Sequence, residues 1–289
     1  MKNNKSRYII YVTIIMIFLG GQVWGQGNQV VTLGADLKSE ERTQLLDLFQ
    51  VEETSVKIIE ITNAEERKYL EGIATDRQIG TRAISSAYVE NLGEGEGIHV
   101  ETYNITWVTE EMYANAMVTA GVTDARVIAA APFDVSGTAA LTGIIKAFEE
   151  VTGQEISDEQ KRIANEEMVT TGQLGDKIGR EEASRLVREV KEEVVRRGTQ
   201  DPEEIKRIII EIAGNLNINL TDEQIAQMTG LMDRIADLNL NTEEIQKQLV
   251  KMGEQLGRIA RNTEEVTSLL QRIIEMIRSF FQSILGFLG

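Results

Sequence analysis

Apolar β-rich runs recur along the first half of the chain at Val30–Leu33, Val56–Ile61, Ala83–Leu92, Ile98–Val108 and Arg126–Ala131, with the short lengths expected of strands. Between them the spacing turns helical. Ser39 to Phe49 places Leu45, Leu46 and Phe49 on one face. Asn63, with Glu66 three residues on, predicts a capping box. Thr109 to Ala120 is a third helical stretch, and Ser136 is placed to cap a fourth that runs to Glu150. The loop Gly93-Glu94-Gly95-Glu96-Gly97 is predicted to join two strands as a hairpin. The order β-α-β-α-β-β-α-β-α predicts a mixed α/β domain with a sheet of about five strands.

The pattern changes after Val151. Residues 150–279 contain no Phe, Tyr or Trp, and their only proline is Pro202. Helix starts are written at Ser157 with Gln160, at Asp201-Pro202 and at Thr221 with Gln224. Thr242 and Thr263 each precede a Glu-Glu pair, which suits the positive end of a helix dipole. Stops are expected at Gly172, at Arg196-Arg197-Gly198 and at Asn215. The runs from Ile156 to Gln160 and from Leu220 to Gln224 look alike, which reads as convergence on good caps. The expected organisation is a leader at 1–25, an α/β domain at 28–152, an all-α region at 153–241 and a long amphipathic helix at 242–289.

That last helix carries a heptad-like seam: Ile245, Leu249, Met252, Leu256, Ile259, Val266, Leu270, Ile273, Ile277, Phe280 and Ile284. Thr263 breaks it. Beyond Val266 the apolar face widens, and no charge follows Arg278. Ile273, Ile277, Phe280, Phe281, Ile284, Leu285, Phe287 and Leu288 are the candidate docking residues, on a membrane surface or on a protein partner. Arg272, Glu275 and Arg278 interrupt the stretch too often for a membrane span. The same seam suits packing on its own bundle, or a coiled-coil homo-oligomer.

Composition narrows the function. Lys and Arg total 30 against 46 Asp and Glu, a formal charge of −16, so nucleic acid is not an expected partner. With no cysteine, disulfides, thiol nucleophiles and thiolate metal sites are excluded, and His99 is the single histidine. Lys2, Lys5 and Arg7, then the apolar stretch Tyr8–Leu19 and the small residues before Gln26, predict a secretory signal peptide cut after Gly25. An uncleaved N-terminal anchor is the alternative. The expected location is secreted or extracytoplasmic, in association with a membrane if the tail docks there.

Few residues suggest chemistry. His99 and Glu101 share a strand face beside Glu94 and Glu96, which allows a hard-cation or acid–base site, or a plain solvated histidine. Ser85 and Ser86 offer a nucleophile only with a base nearby, and no Gly-x-Ser-x-Gly elbow occurs. Ser136-Gly137-Thr138 opens a helix after a strand and could present backbone N–H groups to an anion, although no P-loop pattern is present. Asn104 and Asn219 each begin a glycosylation sequon. No cofactor and no metal are expected.

The stretches Val31–Leu37, Asn63–Leu70, Ile79–Glu90, Asn104–Thr109 and Ser136–Gly143 resemble the YpuA-like secreted proteins of Gram-positive bacteria, a domain-of-unknown-function family (DUF1002). Downstream the resemblance rests on Thr221–Ile225. It implies export and supplies no mechanism. The expected function is therefore a non-enzymatic envelope module that binds or interacts and docks through its C-terminal helix. An extracytoplasmic hydrolase of an envelope polymer, using Ser85 or Ser86, is the alternative.

Overall fold

The computed structural model describes residues 27–238 and 240–255. The expected leader at 1–25, the seam from Leu256 onwards and all eight candidate docking residues lie outside them.

Strand β1 (Gln29–Gly34) leads through helix α1 (Ser39–Leu48) to β2 (Lys57–Ile61), which lies parallel beside it. Helices α2 (Asn63–Leu70) and α3 (Asp76–Ile79) then precede β3 (Ser86–Asn91) and β4 (His99–Ile105). Helix α4 (Glu110–Ala120) carries the chain to β5 (Ala125–Val135), and α5 (Thr138–Thr152) follows. The five strands form one mixed sheet in the order β2-β1-β3-β5-β4. β3 runs antiparallel to both β1 and β5, whereas β4 and β5 are parallel.

That order corrects the predicted hairpin. β3 and β4 are consecutive in the chain but β5 lies between them, so the Gly93–Gly97 loop crosses the end of β5. Asp124, just before β5, holds the loop: its carbonyl accepts the Leu92 N–H at 2.7 Å and its carboxylate accepts the Gly97 N–H at 2.7 Å. Glycine tolerates the positive φ that the loop needs, but that freedom does not specify which strand becomes the neighbour.

Three further boundaries differ. The capping box at α2 uses Thr62 and Glu65, one residue before the expected pair. Helix α5 starts after Gly137, and the Ser136 hydroxyl donates instead to the Gln78 carbonyl at 3.0 Å. Helix α6 (Asp158–Ile178) runs straight through Gly172, which is a packing position and not a stop. A Cβ there would sit 2.4 Å from the Trp107 ring, whose Nε1 donates to Asp176 at 3.2 Å. The capping pairs at Ser157 and Thr221, the cap at Asp201 with Pro202 first in its helix, and the stops at Gly198 and Asn215 stand where the sequence puts them.

α4 and α5 cover one face of the sheet. Val30, Ala87, Val89, Val127 and Ala129 meet Met117, Leu141, Ile144 and Phe148 there. Gly143 lets α5 approach β1, because a Cβ would meet the Thr32 hydroxyl at 2.4 Å. α1 covers part of the other face, where Leu45, Leu46 and Phe49 bury Val31, Leu33 and Ile128. α6, α7 (Arg180–Arg197), α8 (Pro202–Asn215) and α9 (Asp222–Asp237) build a helical core from Leu186, Val190, Ile209, Leu231 and neighbours. α6 serves both parts: Ala164 and Met168 enter the sheet-side core, and Ile163 and Leu174 the helical one.

The first stretch of the predicted long helix is helical over residues 242–255, designated α10. Its cap is Asn241, whose Oδ1 accepts the Glu243 and Glu244 N–H groups. Ile245, Leu249 and Met252 are buried in the sheet-side core, so this part of the seam packs on the chain itself. No helix among the described residues is long and apolar enough to cross a membrane.

Candidate functional site

Most of the residues expected to carry chemistry are engaged elsewhere. His99 Nε2 lies 3.1 Å from the Glu96 carbonyl and 3.4 Å from Gln255 Nε2. Glu101 pairs with Arg126 at 3.3 Å and accepts from the Tyr103 hydroxyl. The two therefore do not converge, and among the described residues no group of three or more His, Asp or Glu is placed to hold a metal ion. Ser85 and Ser86 are both buried. The Ser86 hydroxyl accepts from the Gly34 N–H and donates to the Ile84 carbonyl, which engages it within the chain. Asn104 stands in a left-handed conformation at a bulge in β4, its side-chain amide donating to the Ala131 carbonyl at 2.8 Å.

The start of α5, expected to face an anion, faces the chain's own Glu66 carboxyl. The Thr138 hydroxyl is 2.7 Å from Glu66 Oε1 and 3.1 Å from the Gln78 carbonyl. Glu66 is fully buried, and burial pushes its pKa up to about 7, against the opposing hydrogen bonds from Thr138 and Asn63. The nearby Tyr113 hydroxyl donates to the Gly137 carbonyl at 2.5 Å, and burial raises that phenol far above its usual range.

A second buried polar centre joins α4, α6 and α7. Lys191 donates to Glu167 Oε1 at 2.7 Å, to the Asn115 carbonyl at 2.7 Å and to the Thr119 hydroxyl at 3.0 Å. All three ammonium hydrogens are thereby used. Burial holds the Lys191 pKa below its ordinary value, and Glu167 opposes the shift only in part.

Open to solvent is a cavity of about 210 Å³ enclosed by α2, α5 and the start of α6. α2 contributes Glu65, Lys68 and Tyr69; α5 contributes Thr142, Ile145, Lys146 and Glu149; α6 contributes Lys161 and Asn165. Lys146 pairs with Glu65 at 2.5 Å, Lys161 with Glu149 at 2.8 Å, and Lys68 with Asp158 at 2.7 Å. Burial raises the Glu65 carboxyl, but the hydrogen bonds from Lys146 and Thr62 outweigh it and hold the group below its ordinary value. Deeper in, Thr142 Oγ1 and Asn165 Oδ1 are buried without a hydrogen-bond partner. The sequence reading missed this cavity. Its trace was the polar stripe at helical spacing on each helix, such as Thr142, Lys146 and Glu149. Such stripes ordinarily mark a solvated face, and only the packing of three helices makes them converge.

Fold and site together define a mixed α/β protein braced by a helical extension, with its buried Lys191–Glu167 pair satisfied internally and a small charged cavity on its flank. The family described as "Protein of unknown function (DUF1002)" matches residues 33–252. The chain is 39% identical over 261 residues to the uncharacterized protein YpuA of Bacillus subtilis, covering 90% of this chain and 89% of that protein. The chain belongs to the DUF1002 family. No solved structure matches it.

Proposed function

We propose that this is an exported cell-envelope protein acting as a non-enzymatic binding module, in which the α/β body carries a C-terminal segment that docks on a membrane surface. The observation that supports the reading is the seating of α10. Ile245, Leu249 and Met252 are buried against the sheet-side helices, and Gln248 donates to Asp124 at 3.3 Å. A segment leaving a helix fixed in this way is tethered to the body at its root. The residues that follow are increasingly apolar and end in the uncharged stretch Ser279–Gly289 with Phe280, Phe281 and Phe287. An aromatic, charge-free end of this kind embeds below lipid headgroups. With two arginines and one glutamate from Arg272 to Arg278, binding would draw on apolar burial more than on lipid charge. The leader at 1–25 supports export.

Vesicle flotation of the chain from Gln26 onwards, beside a version ending at Asn262, tests the reading. Both retain every described residue, and Trp107 fluorescence reports folding in both. Flotation of the longer chain alone is the expected result. Equal association of the two, or of neither, overturns it.

A further inference from the structure

We propose that residues 71–82, with α3 at their centre, form a lid that opens when the buried Glu66 carboxyl gives up its proton. The Thr138 hydroxyl has one hydrogen and two acceptors in reach, Glu66 Oε1 at 2.7 Å and the Gln78 carbonyl at 3.1 Å. A protonated Glu66 donates to Thr138 Oγ1, which leaves the Thr138 hydrogen for Gln78. An ionised Glu66 can only accept, so it takes that hydrogen and the bond from Thr138 to Gln78 is lost. The Ser136 hydroxyl, at 3.0 Å, then holds the Gln78 carbonyl by itself.

Ionisation also strands a charge. Glu66 is fully buried, and its second oxygen receives the Asn63 amide at a long 3.3 Å. The charged and titratable groups around it are committed elsewhere. On its own helix, Arg67 spends its guanidinium on Asn63, on Asp76 of α3 and on the Gly80 carbonyl. From α4, the Tyr113 hydroxyl donates to the Gly137 carbonyl. Lys146 of α5 pairs with Glu65, and Lys161 of α6 with Glu149. Arg77 of α3 is exposed, and α6 meets α2 through Val169 against Leu70. A buried carboxylate without a cation of its own draws water to itself at the expense of whatever covers it.

The weakest cover is the lid. Its helix has four residues, and Ile79, against Leu70 and Val169, is its one buried side chain. α5, on the other side of the Thr138 hydroxyl, buries every residue from Thr138 to Ile145. Gly72 and Gly80 flank α3 at φ +80° and +78°, with open space around both, so each can change conformation without a steric penalty.

Hydrogen exchange of the chain from Gln26 onwards, between pH 4.5 and 8 and corrected for intrinsic exchange rates, tests the proposal. The closed lid keeps the Glu66 proton up to about pH 7, and the open one releases it near the ordinary 4.5. Opening of residues 71–82 should therefore rise about tenfold per pH unit between those values and level off above them. It should be faster than exchange in β1, β3 and β5 at every pH, and low urea should leave it unchanged while it speeds the strands. Glu66→Gln, which cannot ionise, should flatten the profile of the lid. Three results overturn the proposal: a flat profile in the parent protein, the same slope in Glu66→Gln, or lid amides that exchange together with the strands. If Glu66→Gln does not fold, the slope in the parent and the comparison of lid with strands decide.

Discussion

The Lys191 ammonium and the Glu167 carboxylate lie 2.7 Å apart with both side chains essentially sealed from water, at 1% and 0% exposure. They clip α7 to α6, and through the Asn115 carbonyl and Thr119 hydroxyl they fasten both to α4 of the sheet layer. The ion pair thus sits where the helical part meets the α/β part. A buried pair is sensitive because removing one partner strands the other charge in a low-dielectric setting.

Lys191→Met should therefore destabilise the protein by about 3–5 kcal/mol in urea unfolding. Adding Glu167→Leu should recover much of that loss, since no unpaired charge is left and two apolar side chains fill similar volume. A double variant whose loss is the sum of the two single losses would show that the residues act independently, contrary to this account.

Glu66 gives a pH dependence of defined sign. Its carboxyl moves from an ordinary 4.5 to about 7 in the folded protein, chiefly through burial. The folded state therefore keeps its proton over a range in which the unfolded chain has lost it. This contribution to stability is fully present below about 4.5 and is lost as pH rises to about 7. At ~1.36 kcal/mol per pKa unit the loss is on the order of 3 kcal/mol. Glu66→Gln, which cannot ionise, should remove that falling limb and make the protein more stable than the parent at pH 8. Parallel stability profiles for the two proteins between pH 4.5 and 8 would sink the assignment.

The local grammar of the helices was legible in the chain. Ser157 with Gln160, Asp201 with Pro202 and Thr221 with Gln224 are caps whose chemistry is complete within four residues. The strand set and the change to an all-helical part were also readable, because they rest on periodicity. What failed were inferences that needed a distant partner. Gly172 looks like a stop until Trp107, 65 positions earlier in the chain, fills the space beside it. The Gly93–Gly97 loop reads as a hairpin until Asp124 places β5 in the gap. Ser136-Gly137-Thr138 invites an anion until Glu66 is found already there. The cavity belongs to the same class, since its three helices supply ordinary polar stripes and only their convergence encloses it.

The seat of α10 supplies the last prediction. Leu249 is fully buried, and it enters the sheet-side core with Ile245 and Met252 beside it. Truncating a buried leucine to alanine costs about 2–5 kcal/mol, from lost transfer energy and the cavity left behind. In α10 the cost should appear first as local opening. The helix spans only residues 242–255 of the described chain, and its polar attachment is limited, with Gln248 on Asp124 the one buried link. Leu249→Ala should therefore raise amide exchange and protease cleavage in residues 242–255 while β1, β3 and β5 stay protected. Global unfolding by the same substitution, with the strands exchanging as fast as α10, would mean that the helix is an integral part of the sheet-side core. A strap seated on a finished fold releases locally, and the exchange pattern separates the two.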